Sequence, residues 1–462
     1  MAAPHASVWW ATLEQPPSPR APLNADLDVD VAIVGAGFTG LWTALFLARH
    51  DPSLRVAVLE ASVAGAGASG RNGGWASALY PVSFSRIEAS HGRDAVLRLR
   101  AALQDGVTEL DEVARSEGID FDYERGGSVA LARSEVQAAR LHAELDDQRA
   151  HGASDDDLVW LDESAARARC AASDVRGALF TPHCAAVHPA KLVTGLADAV
   201  VRRGVSIYEH TSVTVIEPGD GWRRPRAVTE RGSLRAEVVV RATEGYTPAF
   251  PDAKRSVVPL YSLVVATEPL PSSFFDRVGL AHRETFSDAR HLIIYGQRTA
   301  DDRLVFGGRG APYHFGSRVD PAFDTEPDVF SKLEATLVEL FGEIPADIAF
   351  RWGGPLGATR DFSPYVRLDR ARGLAVAGGY VGDGVVLSHV SGRTLADLIV
   401  GATSERTSLP FVGNAPRDWE PEPLRWLGIN AGLLAADLAD RREAATGRPS
   451  GFARVLDRLH GD

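Results

Sequence analysis

Lysine, methionine and cysteine are all scarce in this chain, and no part of it stays apolar for long. Three lysines (Lys191, Lys254 and Lys332) stand among 49 basic residues, a bias that reads as GC-rich coding and limits which lysine could reach a bound group. The two cysteines, Cys170 and Cys184, form neither a metal motif nor a closely spaced pair. They read as reduced structural thiols of a cytoplasmic protein. No basic segment followed by an apolar run opens the sequence, which excludes a standard secretory signal. No stretch approaches the roughly 20 apolar residues that span a bilayer, so no transmembrane segment is expected. Runs of basic residues are missing too, and the net charge is -12. No nucleic-acid partner is expected, because phosphate contacts need a basic face.

What is there fills 462 residues of ordinary globular composition, a length that suits two domains better than one. After an irregular, Pro-rich lead over residues 1–27, Asp30 to Gly35 reads as a short buried strand. Phe38 to Arg49 has helical apolar spacing, and Leu54 to Glu60 is a second strand. Strand, helix and strand within about thirty residues make a βαβ unit and imply a parallel sheet. Helices are expected over 83–118, 133–150 and Pro189–Arg203. Strands are expected over 206–209, 213–217, 226–230 and 237–242. From Val257 the pattern changes to strands at 260–267, 292–297 and 304–307, which suggests an antiparallel sheet closed by a helix at 325–342. A strand at 373–378 and a helix at 384–401 return to the first pattern. A Pro-rich linker (405–421) and an amphipathic helix (422–446) end the chain.

Three glycine-rich elements carry the chemistry. In Gly35-Ala36-Gly37-Phe38-Thr39-Gly40, the glycines sit between a strand and a helix. The first permits the tight turn, the second lets backbone approach a pyrophosphate, and the third lets helix and strand pack closely. The free N–H groups of the helix start then face the diphosphate. Glu60, at the tip of the next strand with Ala61 after it, is placed to accept from ribose hydroxyls and disfavours a 2′-phosphate. The second element runs from Gly65 to Gly74. Ser69, Arg71 and Asn72 are candidates for phosphate or ribitol oxygens, and Gly73 and Gly74 would let the chain run against a flavin ring. The third, Gly382-Asp383-Gly384-Val385-Val386, opens another helix. Its N-terminus would stabilise the negative charge that reduction places on the pyrimidine edge of a flavin.

Together these elements resemble the D-amino-acid oxidase/glycine oxidase (DAO) superfamily of FAD enzymes, and within it the branch containing γ-glutamylputrescine oxidoreductases. The resemblance spans residues 7–445 and is carried by Asp30–Gly40, Gly67–Gly74, Val239–Tyr246, Trp352–Asp361 and Gly378–Val386. It implies an α/β FAD-binding domain, Rossmann-like and of glutathione-reductase type, interleaved with an α+β substrate domain on an antiparallel sheet. The expected division gives 27–82, 185–255 and 350–402 to the FAD-binding domain, 83–184 and 256–349 to the substrate domain, and 403–462 to a helical tail. By position, Val213 would meet the adenine, Ala242 and Thr243 would pass near the diphosphate, and Gly354 and Thr359 join the cofactor contacts. Glu244 stands where the family has asparagine.

A departure bears on the substrate. Relatives that oxidise α-amino acids carry an arginine in the segment matching Trp352–Asp361, and it clamps the substrate carboxylate. Pro355 and Leu356 stand there in this chain and cannot make such a grip. That favours an amine whose reacting carbon bears no carboxylate, unless Arg290, Arg309 or Arg351 substitutes. No Cys or His follows Gly73-Gly74 directly and no cysteine lies near Gly379, so the FAD is expected to be non-covalent. No lysine occurs in 291–308, where some oxidase relatives activate oxygen.

The expected reaction is hydride transfer from the carbon beside a neutral amine to flavin N5, giving an imine that hydrolyses to aldehyde and amine, with O2 or another acceptor taking the electrons. Trp75, Tyr261 and Tyr295 are candidates to line an aromatic pocket, and His314 to take a proton. The alternatives are an amino-acid or N-methyl-amino-acid oxidase with a relocated arginine, a flavin monooxygenase, and a flavin-binding protein without turnover.

Overall fold

A computed structural model describes residues 7–452, together with every side chain in that range except that of Arg309. Its nucleotide half is a six-stranded sheet in the order Tyr365–Asp369, Leu374–Gly378, Val238–Arg241, Val31–Val34, Val56–Leu59, Ser206–Tyr208. Every pairing is parallel except that of the Tyr365–Asp369 edge. Val31–Val34 and Val56–Leu59 are buried at every position, as strands covered on both faces must be. The helices Phe38–His50, Pro189–Arg202 and Gly384–Val400 share one apolar cluster with this sheet. A smaller four-stranded sheet (Leu27–Asp28, Ser233–Arg235, Arg226–Thr229, Val213–Glu217) sits beside it.

The substrate half is an eight-stranded sheet that starts with Ile348–Ala358, Val258–Thr267, Leu304–Arg309 and Ile294–Arg298. Thr285–Asp288, Ser128–Ala132, Gly177–Thr181 and Val159–Asp162 complete it. All its pairings are antiparallel except Thr285–Asp288 with Ser128–Ala132. Helix Pro327–Phe341 packs on one face, around Leu263, Val265 and Phe306. A two-stranded ribbon, Trp75–Ser77 with Cys184–Ala186, links the halves.

The structure redraws the expected boundaries in two places. Ile348–Ala358 pairs along its length with Val258–Thr267, so the chain returns to the nucleotide half after Ala358 and not at residue 350. The expected helix over 83–118 is two helices, Phe84–His91 and Arg93–Ser116, broken at Gly92 with φ 81°. The second of them buries Val96, Leu99, Leu103, Val107 and Leu110 in the nucleotide core, although it falls in the stretch assigned to the substrate domain. The lead also differs from its irregular reading, because Val8–Ala11 is a short helix that buries Trp9 and Trp10. Helix Leu424–Thr446 follows the linker, and the rest of the expected tail, 453–462, lies outside the described residues.

Candidate active site

The site begins where packing leaves no room for a side chain. A Cβ on Gly35, whose φ is 106°, would stand 2.4 Å from Ala242 O, and one on Gly40 would stand 2.0 Å from Gly35 O. The loop is thereby pressed against the end of the neighbouring strand, and Gly35 N–H donates to Leu59 O at 2.8 Å. Ala36 N–H donates to Glu60 Oε2 at 2.9 Å, and Ser62 N–H donates to Glu60 Oε1 at 2.9 Å. Burial pushes the Glu60 carboxyl up, against the pull of those two donors. Ser69 Oγ accepts from Phe38 N–H at 2.8 Å, which brings the second glycine loop onto the first helix start. Ala61 is exposed just beyond Glu60.

A second helix start converges on the first. Tyr380 hydroxyl bonds Thr39 Oγ1 at 2.9 Å, tying the Gly382–Val386 turn to the Gly35–Gly40 loop. Gly382 has φ 111°, and Val385 and Val386 turn their side chains into the core, leaving backbone at the turn. Thr359 Cγ2 lies under Gly379 and Thr359 Oγ1 donates to Ser363 O at 3.0 Å. Val213 lies in the small sheet opposite Thr229. Glu244, next to Ala242 and Thr243, accepts from Tyr380 N–H at 3.0 Å, and its Oε2 is buried with no hydrogen-bond partner among the described residues. Burial moves this carboxyl up to about 7 against donors from Tyr380, Gly357 and Gly379.

The Gly73-Gly74 loop lies on the face of the large sheet that carries Ser262, Tyr295 and Gln297. Gln297 Nε2 donates to Gly73 O at 2.7 Å and Gly74 O at 3.0 Å. Tyr295 packs so closely that a Cβ on Gly73 would stand 2.4 Å from its ring, and its hydroxyl shares a 2.8 Å bond with Ser262 Oγ. Trp75 meets Tyr295 edge to face, with centroids 6.1 Å apart. Asn72 is spent on the loop itself, donating to Ala68 O and Ser69 O and accepting from Gly74 N–H.

The surroundings of two sets of expected residues are defined here. Arg71, expected on phosphate or ribitol oxygens, is buried with Nη1 on Asp324 at 2.8 Å and Nη2 on Tyr246 hydroxyl at 3.0 Å, under Gly354. The three aromatic-pocket candidates and His314 do not form one group. Trp75 and Tyr295 lie together, whereas Tyr261 packs with Leu263 and Val265 on the opposite face. His314 joins Tyr261 there, stacked on Phe323 at 3.3 Å, and burial holds its pKa down. Of the arginines that could replace the missing clamp, Arg290 is bound to Asp288 at 2.6 Å and Arg351 to Glu334 at 2.7 Å. The Arg309 side chain lies outside the described residues.

Sequence reasoning passed over several residues that build this site. Trp9 Nε1 donates to Asn72 O at 2.8 Å and Trp352 Nε1 to Arg71 O at 2.8 Å, so two indoles hold the loop from behind. A tryptophan pair in a polar lead was the available signal for the first. Gln297, fully buried in an apolar strand, was the signal for the loop's other anchor. Tyr246 and Asp324 carried none.

Two helix starts converging at the crevice of a parallel sheet, beside a glycine loop that lies on an antiparallel sheet, define a dinucleotide-binding oxidoreductase of two interleaved domains. The chain belongs to the DAO family of FAD dependent oxidoreductases, which matches residues 30–398. It is 34% identical to the gamma-glutamylputrescine oxidoreductase of Escherichia coli (strain K12), over 86% of this chain and 89% of that relative. It is 28% identical to the glycine oxidase of Geobacillus kaustophilus (strain HTA426), over 83% of this chain and 96% of the relative. The crystal structure of glycine oxidase from Geobacillus kaustophilus superposes with a TM-score of 0.71 at 24% identity, covering 85% of this chain and all of that one, and shows the shared fold.

The protein is thus an FAD-dependent oxidoreductase, and its residues fit the cofactor. Arg71 Nε, Trp75 Nε1 and Gln297 Oε1 are buried around the glycine loop with no hydrogen-bond partner among the described residues, as expected where a polar ligand completes the site. Among the described residues, no helix is long and apolar enough to cross a membrane.

Proposed function

We propose that this enzyme oxidises the C–N bond of a primary or secondary amine whose reacting carbon carries no carboxylate. The observation that carries the reading is the lack of a clamp in its expected strand. Pro355 and Leu356 occupy the strand where an amino-acid oxidase needs a guanidinium, and Arg290 and Arg351 are tied to Asp288 and Glu334. FAD, held by the glycine loops and the two helix starts, would supply the two-electron acceptor for oxidation of the carbon beside the amine nitrogen. The protein's share is to hold the amine neutral and oriented while that happens. Trp75 and Tyr295 offer an aromatic wall that strips water from the amine, and loss of water disfavours its protonated form. Ser262 fixes the Tyr295 hydroxyl, so the ring keeps one orientation.

We assign cofactor contact to the Gly35–Gly40 backbone, Glu60, Ser69, the Gly73–Gly74 backbone and the Gly382–Val386 turn, on the geometry above. Tyr261 and His314 support the opposite face and are not assigned a part in the reaction. The FAD is held without a covalent bond in this reading, because Trp75 follows the glycine pair and Cys184 is buried in the ribbon. A cytoplasmic location accords with two free, buried thiols.

The test is anaerobic mixing of the FAD-loaded enzyme with primary and secondary amines, and separately with glycine, sarcosine and D-alanine. Bleaching of the flavin by amines alone supports the reading, and bleaching by the amino acids alone overturns it. Repeating the turnover with oxygen and with an artificial acceptor identifies the electron acceptor.

A further inference from the structure

Glu244 stands at the junction of the two halves in a conformation that suits it poorly. Its φ is 43°, in the left-handed region that asparagine tolerates far better than glutamate. The family resemblance expects asparagine here, so the acid replaces a residue that fits the backbone with one that strains it. Glycines make the room. A Cβ on Gly357 would stand 1.9 Å from Glu244 Oε2, and one on Gly245 would stand 3.0 Å from Pro355 O. The carboxyl thus fills the gap between the end of strand Ile348–Ala358 and the turn at Gly379-Tyr380, accepting from Tyr380 N–H at 3.0 Å.

No cation answers this acid among the described residues. The titratable groups that face it are phenols: Tyr365 on strand Tyr365–Asp369 and Tyr380 on the turn, both held neutral by burial. Gly357 and Gly379 offer only backbone N–H groups. Arg241, earlier on the same segment, is bound to Asp252 at 2.9 Å, and Arg71 is bound to Asp324 at 2.8 Å. Loss of water is therefore the largest influence on the carboxyl and pushes it up to about 7. Two routes lead from it to the cofactor loop. Tyr380, its donor, bonds Thr39 Oγ1 in the first helix start at 2.9 Å. Along the chain, Glu244 follows Thr243, whose Cα a Cβ on Gly35 would approach to 3.8 Å. An ionised Glu244 and the FAD diphosphate would share one poorly hydrated crevice, where like charges repel strongly.

We propose that Glu244 holds a proton in the FAD-loaded enzyme, and that FAD binding draws this proton from solvent whenever the free protein has lost it. Cofactor capture is then linked to pH through one residue. Below neutral pH the carboxyl already carries its proton, and FAD binds with no proton change. Above neutral pH the free protein carries the anion, and seating the diphosphate beside it requires that the anion be neutralised. Affinity for FAD is thus highest in acid. It falls as pH rises, by up to about tenfold per pH unit, until the carboxyl is ionised in the loaded enzyme as well. An amide at this position has no proton to take up, so glutamine or asparagine would leave capture indifferent to pH. The linkage does not depend on which amine is oxidised.

The experiment dilutes the FAD-loaded enzyme at pH values from 6 to 8.5 and reads the released flavin by its fluorescence, for the wild type and for Glu244→Gln. The expected result is a wild-type Kd for FAD that rises roughly 10- to 30-fold across this range, while that of the variant changes much less. Glu244→Asn, which restores the residue expected from the family, serves as a second variant should Glu244→Gln fold poorly. Curves that run parallel in the wild type and the variants overturn the proposal. Infrared spectra of the loaded proteins at pH 8 provide a second readout that needs neither turnover nor an amine. The carbonyl stretch of a neutral carboxyl should be present in the wild type and missing from the variant. Its absence from the wild type, with a carboxylate band in its place, overturns the proposal even if the affinities differ.

Discussion

The two halves of this enzyme build their share of the site from different materials. The nucleotide half uses backbone: Gly35 and Gly40 are pressed against carbonyl oxygens, and two helix starts supply the N–H groups. The substrate half uses side chains: Gln297, Tyr295, Trp352 and Asp324 hold the Gly73-Gly74 loop and Arg71 from one sheet and the turn beside it. A backbone site needs glycine at fixed spacing, because a Cβ collides. A side-chain site accepts many solutions, because several residues can supply the same hydrogen bond.

The largest expected effect comes from breaking the backbone half. Gly40→Ala places a Cβ 2.0 Å from Gly35 O, with no flexible side chain to yield. We expect loss of FAD from the purified protein and a stability loss upwards of about 4 kcal/mol, read by flavin absorbance and chemical denaturation. Next is Arg71→Met, which leaves Asp324 buried without its partner. That should cost about 3–5 kcal/mol, and adding Asp324→Leu should restore most of it. A double variant no better than the single would show that the pair is not the source.

The third prediction concerns Glu244, where the halves meet. Its folded pKa, about 7, lies above the ordinary 4.5. The folded protein therefore holds a proton that the unfolded chain has released, so this stabilisation is complete below pH 4.5 and is lost as pH rises through 7. Comparing Glu244→Gln with the wild type between pH 5 and 8 should show the wild type losing on the order of 3 kcal/mol relative to the variant. Parallel curves would show that the carboxyl titrates normally. The smallest effect is Ser69→Ala, which removes one acceptor from Phe38 N–H and should cost about 1 kcal/mol, measured by thermal unfolding.

The same contrast explains what could be read from the sequence. The Gly35–Gly40 loop, Glu60, the parallel strands and both helix starts were legible, because each follows from a local pattern of glycine, apolar residues and one acid. The roles of Tyr261 and His314 were not legible. Which face of a strand a tyrosine occupies depends on register across the eight-stranded sheet, and no short window contains it. The partners of Arg71 were hidden for a related reason: Asp324 lies 253 residues away in the chain. The boundary at 350 failed because Ile348–Ala358 is continuous in sequence with the nucleotide half while pairing with the other sheet.

Trp9 also fixes an order of events. Its indole locks Asn72, and its neighbours in the apolar cluster include Ala190, Val264, Val305 and Trp352. The Val8–Ala11 helix thus finds its full seat only after residue 352 has been synthesised. Until then the glycine loop lacks two of its props, Trp9 and Trp352. Cofactor capture is accordingly an event of the finished chain, and a ribosome-bound fragment ending before Trp352 should carry no flavin.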